Sequence, residues 1–142
     1  MLKGISPVIS PELIKILMEM GHGDELVIGD GNFPAASCAR RLVRLDGHGV
    51  PEVLDAILHL FPLDTYVAAP VALMRVTPGD DVVPVIWDEY KAIIRARSGP
   101  AAIEEVERFA FYDRAKEAYA IVATGERALY ANIIIKKGVV VE

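Results

Sequence analysis

The chain has 142 residues, close to the commonest domain size, and at that length folding hides roughly 68% of the extended chain's surface, so one core can form without disulfides or a structural metal. Apolar residues make up 53% and charged residues 25%, with a mean hydropathy of +0.33, which excludes an intrinsically disordered chain and predicts extra buried surface between subunits. Twenty acidic against fifteen basic residues give a net charge of -5 and no basic face to neutralise a phosphate backbone, so no nucleic-acid partner is expected.

In chain order, Ser10-Pro11 reads as a helix start, with a hydroxyl to cap the first turn and a proline where no amide hydrogen is needed. Leu13, Ile14, Leu17 and Met20 recur at helical spacing, and Gly21 supplies the stop. Leu26 to Gly29 is a short apolar run closing on Asp30-Gly31-Asn32, the pattern of a buried strand and its turn. Leu42 to Leu45 predicts a strand, Asp46-Gly47-His48-Gly49 a turn, and Pro51 opens a helix that carries Val53, Leu54, Ile57 and Leu60 inward. Val71 to Val76 is a β-rich run stopped by Pro78-Gly79. Pro84 opens a third helix with Ile86, Tyr90, Ile93 and Ile94 on one side, ended by Ser98-Gly99-Pro100. Ile103 to Glu107 fits helix or strand, Ala110 to Lys116 is helical, and Tyr119 to Ala123 and Asn132 to Lys136 are strands. Four to six short strands among at least three amphipathic helices predict a single layered α/β domain over residues 1–142, its central sheet mostly parallel or mixed and covered by helices. Sites in such sheets lie where strands run out into loops.

The longest run of apolar residues plus proline, Val67 to Met74, has eight members, against the ~20 a membrane helix needs, so no membrane partner is expected. Near the N-terminus, Pro7, Ser10 and Pro11 interrupt any apolar run long enough for a signal peptide. The single cysteine, Cys38, has no partner for an internal disulfide, which fits a reducing compartment. A cytoplasmic location is expected. No repeat, low-complexity tract or charge block divides the chain.

The chain lacks a phosphate loop ending in Gly-Lys-Ser/Thr, a Gly-x-Gly-x-x-Gly, a His-Glu-x-x-His and a Gly-x-Ser-x-Gly elbow, and Cys38 has no activating context. No metal or other cofactor is expected, and what remains is proton chemistry, for which histidine is the natural carrier near neutrality. His22 stands between two glycines in Met20-Gly21-His22-Gly23-Asp24, just past the first helix. The glycines allow a tight turn and leave the ring uncrowded, with Asp24 and the negative helix end favouring a protonated imidazole. The alternative is that His22 decorates a helix stop. His48 reads as part of a surface loop, and His59, four residues after Asp55, as half of a solvent-side pair.

Asp30, at a strand's end, either accepts two hydroxyl hydrogens of a sugar or serves the Gly31-Asn32 turn as an Asx aspartate. Arg108-Phe109-Ala110-Phe111-Tyr112 joins a fixed cation to aromatic rings, an arrangement also met where a core segment is flanked by a surface arginine. Tyr130-Ala131-Asn132 precedes a buried strand, and its phenol and amide share a side if the strand is already extended there. A strand-edge cap is the competing reading.

Taken together, these segments resemble the sugar mutarotase family that contains L-fucose mutarotases and D-ribose pyranase, in its fucose branch. The likeness runs from Ile5-Ser6-Pro7 through Pro11-Glu12-Leu13, Gly21-His22-Gly23-Asp24-Glu25, Asp30 and Phe33-Pro34 to Arg108-Phe109-Ala110-Phe111-Tyr112, Thr124-Gly125-Glu126-Arg127 and Tyr130-Ala131-Asn132, while the middle matches mainly in apolar pattern. The resemblance implies anomer interconversion of L-fucose or a close relative, with His22 as proton donor and Asp30, Arg108, Tyr130, Ala131 and Asn132 as sugar-binding positions. It also implies a ring-shaped homo-oligomer with sites near subunit contacts. The pyranase branch has a histidine where this chain has Arg108, which can hold but not shuttle protons at neutral pH. Ala131 stands where a glycine also occurs in the fucose branch. A ribose-type isomerase, a sugar-binding module without catalysis, and a structural subunit are the alternatives.

Overall fold

The structure, a computed structural model, describes residues 1–142. Its elements are α1 (Pro11–Glu19), β1 (Glu25–Gly29), α2 (Ala35–Cys38), β2 (Leu42–Leu45), α3 (Val50–Leu58), β3 (Val71–Met74), α4 (Ile86–Ser98), β4 (Ile103–Val106), α5 (Arg108–Glu117), β5 (Ala120–Thr124) and β6 (Ile133–Lys136). The strands form one mixed sheet in the order β2-β5-β1-β6-β3-β4. β6 runs antiparallel to both neighbours, β1 and β3, and every other pairing is parallel. This is the mixed, helix-covered sheet that the alternating apolar pattern predicts.

Helices cover both faces, so the central strands are apolar on both sides. Leu26, Ile28, Ile133 and Ile135 face the core under α1, α3 and α4, whereas Val27 and Ile134 face the smaller core under α2 and α5. All six side chains are fully buried, each contributing about 1.5–3 kcal/mol of transfer free energy. The helix starts are capped from three sources. Ser10 Oγ accepts the Leu13 N–H at 3.2 Å. Glu107 accepts the N–H groups of Phe109 and Ala110, each at 3.0 Å, and these bonds hold its carboxyl below the ordinary range. At α3 the capping residue is Gly49, which has no side chain, and Glu126 reaches over to accept the Val50 N–H at 3.1 Å.

Several boundaries differ from the sequence pattern. The four-residue α2 has no side-chain cap and too few residues for a periodicity. α3 ends at Leu58, so Leu60 is 37% exposed and Phe61 takes the inward place. α4 begins at Ile86, because Pro84 and Val85 form a preceding turn whose carbonyls accept the N–H groups of Trp87 and Asp88. Ile103–Val106 is a strand at the sheet edge, and the exposed Glu104 and Glu105 explain why its pattern reads ambiguously. β3 stops at Met74 rather than Val76.

Strands β1 to β5 all run the same way, so their carboxyl ends share one end of the sheet. The 125–132 connection leaves β5 there and passes over the end of β1 to start β6. Gly125 is required in that passage, since a Cβ would sit 2.0 Å from the Asp46 carbonyl oxygen. Gly31 N–H donates to Glu126 O at 2.8 Å, fastening the turn after β1 to the same connection.

Candidate functional site

Asp30 directly follows β1 and Asn132 directly precedes β6, so the antiparallel pairing of these strands sets the two side by side. The Asp30 N–H donates to Asn132 Oδ1 at 2.8 Å, and the Asn32 N–H donates to Asp30 Oδ1 at 2.9 Å. Asn132 Oδ1 is thereby committed, which leaves the Nδ2 hydrogens to donate into the recess it lines. Asp30 is only 6% exposed. Burial pushes its carboxyl up, opposed by the N–H groups of Asn32, Ala131 and Phe33.

These two groups form the floor of a recess of about 220 Å³ whose walls include Arg108, Tyr112, Tyr130, Thr77 and Asp80. That volume is below the roughly 300–1,000 Å³ of sites for drug-sized ligands and fits a smaller one. Arg108 opens α5 at the exit of β4, its Nε donating to the Tyr112 hydroxyl at 3.2 Å and its guanidinium 5.3 Å from the Phe109 ring centre. The Tyr112 bond raises the guanidinium further above its ordinary range, so the cation is permanent.

Tyr130 is not extended. Its φ of 55° makes it the one non-glycine residue in the left-handed region, so the phenol and the Asn132 amide reach the recess by a backbone turn rather than by strand alternation. The turn is held from α4, where Trp87 Nε1 donates to Tyr130 O at 2.8 Å and the Tyr90 hydroxyl to Ala131 O at 2.7 Å. Burial keeps the Tyr90 phenol protonated, well above its usual range. The Tyr130 hydroxyl donates to Asp80 Oδ2 at 2.6 Å and accepts the Thr77 N–H at 3.3 Å.

Of the residues singled out in the sequence, Asp30, Arg108, Tyr130 and Asn132 meet at this recess. Ala131 is fully buried behind it and acts there through its backbone. His22 lies at the opposite end of the sheet, with Gly23, Asp24 and the five residues of β1 between it and Asp30, and the strand by itself spans about 13 Å. Its imidazole Nε2 is 3.0 Å from Asp64 Oδ1. Asp24 instead accepts the Gly21 N–H at 2.7 Å, and only Gly23 of the two flanking glycines has a positive φ, +87°. His48 pairs with Glu52 on the surface at 2.7 Å, and His59 meets Arg97, which itself clasps Asp55. The pattern misses Asp64, Asp80, Trp87 and Tyr90 as contributors. Tyr90 carries a usable signal, because a phenol on an inward helix face must find an acceptor.

A polar recess at the carboxyl ends of strands, where an antiparallel strand interrupts a parallel sheet, defines an α/β protein with a candidate ligand site at a topological switch. The chain belongs to the RbsD / FucU transport protein family, whose profile matches residues 3–140. It is 57% identical over 140 residues to an L-fucose mutarotase of Actinobacillus pleuropneumoniae, covering 98% of this chain and 97% of that one. It also superposes with a TM-score of 0.94 on the crystal structure of the fucose mutarotase from Streptococcus pneumoniae in complex with L-fucose, at 56% identity over 99% of this chain and all of that one. The Bacillus subtilis RbsD complexed with D-ribose is 21% identical with a TM-score of 0.76, a likeness of fold alone.

Proposed function

We propose that this protein interconverts the α and β anomers of L-fucose. The observation that carries the reading is the recess itself. It combines a buried carboxyl whose pKa burial pushes up (Asp30), amide donors (Asn132), a permanent cation (Arg108) and a phenol (Tyr130) within a space fit for a monosaccharide. The full-length likeness to a fucose mutarotase crystallised with L-fucose supports the choice of sugar over ribose.

Anomer exchange requires a proton delivered to the ring oxygen and another removed from the anomeric hydroxyl. The C–O ring bond breaks, the aldehyde rotates, and reclosure on its other face returns both protons. There is no redox change and no covalent adduct. Acid–base assistance worth ~10²–10⁴-fold is adequate for a reaction that already proceeds in water. His22 acts as the proton donor, Asp30 or a water as the second relay, and Arg108 and Asn132 orient hydroxyls. Tyr130 borders the apolar side of the sugar.

His22 and Asp30 stand at opposite ends of β1, so one chain cannot present both to one sugar, and each site takes His22 from a neighbouring copy. Both ends carry exposed apolar side chains, Tyr66 against the His22 ring and Phe109 and Leu129 at the recess, as a head-to-tail contact needs. Such a contact, when it closes, gives a ring. The free Cys38 thiol fits a cytoplasmic setting, and no helix is long and apolar enough to cross a membrane.

Magnetisation-exchange NMR on equilibrated sugars tests the activity. The protein should speed α/β exchange of L-fucose well beyond that of D-ribose. Binding of L-fucose without faster exchange would leave only a sugar-binding module, and faster exchange for ribose alone would transfer the reading to the pyranase type.

A further inference from the structure

The sequence offers Asp24 as the carboxylate nearest His22, yet the imidazole meets Asp64, 42 positions away in the connection between α3 and β3. His22 Nε2 is 3.0 Å from Asp64 Oδ1, and the imidazole is 45% exposed while the carboxylate is 3% exposed. The carboxylate is fixed from two sides. Its Oδ1 also accepts the Tyr66 N–H at 3.0 Å, and its own main-chain N–H donates to Lys136 O at 3.0 Å at the end of β6. The Tyr66 N–H, with a smaller share from His22, holds the Asp64 carboxyl below the ordinary range against its burial. It is therefore ionised and can only accept hydrogen bonds, so the hydrogen in the contact belongs to His22 Nε2. The Tyr66 ring centre lies 5.3 Å from that of His22 and bounds one side of the imidazole. The other charged groups around it are Asp24, committed to the Gly21 N–H, and Lys136 and Lys137 at the end of β6.

We propose that Asp64 is the positioning residue of the site, fixing His22 in the Nε2–H tautomer so that Nδ1 is the atom that exchanges a proton with the sugar. This rests on the assignment of His22 as proton donor and adds the atom and the group that orients it. An unoriented ring would present either nitrogen, or a carbon, to the sugar, and only a fraction of encounters would be productive. Asparagine at position 64 retains much of the arrangement, because the Tyr66 N–H requires an oxygen at the Oδ1 place and that oxygen still accepts from Nε2. Alanine retains none of it.

Two-bond ¹H–¹⁵N spectra of the assembled, [¹⁵N]histidine-labelled protein, recorded at about pH 9 where imidazoles are neutral, read the tautomer directly, with His22 assigned by its absence from His22→Asn. The expected result is a protonated Nε2 and a bare Nδ1 in the wild type, and averaged nitrogen shifts in Asp64→Ala. Asp64→Ala should lose about tenfold or more in kcat with KM for L-fucose within about threefold, and Asp64→Asn should recover most of that loss. A protonated Nδ1 in the wild type, or undiminished kcat in Asp64→Ala, overturns the proposal. Full activity in His22→Asn would instead remove the assignment of His22 itself. The wild-type tautomer is readable even if Asp64→Ala fails to assemble.

Discussion

Burial at Asp30 sets up a conflict between stability and function. The carboxyl is pushed above its ordinary value of 3.8 by desolvation, so between the unfolded and folded pKa values the folded chain holds a proton that the unfolded chain has lost. Stability contributed by this group therefore falls as pH rises through that window and is constant above it. Asp30→Asn keeps an acceptor for the Asn32 N–H and removes the titration. Its urea midpoint relative to wild type should rise as the pH is taken up from about 4, the ordinary aspartate value, while mutarotation drops. A pH-independent difference in midpoints would mean that the N–H donors cancel burial, and a difference that falls with pH would mean that they outweigh it. Arg108 poses a different demand, since its Nε is used by Tyr112 and only the outer guanidinium nitrogens are left for a hydroxyl. Arg108→Lys keeps the charge but loses the fork, and KM for L-fucose should rise about tenfold with a smaller change in kcat.

At the scale of elements, α4 does more than cover the sheet. Its Trp87 and Tyr90 grip two successive carbonyls, those of Tyr130 and Ala131, and so enforce the left-handed turn that aims the site segment. Tyr90→Phe leaves the Ala131 carbonyl buried without its donor, for a stability loss of about 1–3 kcal/mol. It should also raise KM, because Tyr130 and Asn132 flank that carbonyl. Chemical denaturation and the NMR exchange assay measure the two effects separately. Ser10→Ala, remote from the site, should lower stability by about 1 kcal/mol through the lost cap and leave KM unchanged. These elements also mark what can be read from sequence. Ser10-Pro11 and the apolar faces of α1, α3 and α4 are local signals, legible because capping and periodicity are properties of neighbouring residues. The Asp30-Gly31-Asn32 turn is legible for the same reason. The Asp64 contact to His22, the cap supplied to α3 by Glu126 and the grip of α4 on residues 130–131 join positions more than 40 apart, and no spacing encodes them. The condition under which Tyr130 and Asn132 would share a strand face, extension at Tyr130, is not met, because tertiary bonds hold a turn there.

For the whole molecule, the separation of His22 from the recess is fixed by β1 and cannot be closed by side-chain motion, because the strand is paired on both sides. With His22 and Asp30 in the roles proposed above, catalysis requires assembly, and a chain defective at one end of β1 should cooperate with a chain defective at the other. His22→Asn and Asp30→Asn should each be nearly inactive alone. Dissociated, mixed in equal amounts and reassembled, they should recover activity, because some contacts join the intact Asp30 of the first variant to the intact His22 of the second. With random head-to-tail assembly about a quarter of the contacts are of that kind, so recovery should approach a quarter of wild-type activity. Light scattering must report the same assembly size for both variants and for the mixture. Mixtures that stay as inactive as their parents, at unchanged size, would mean that His22 and Asp30 never serve the same sugar.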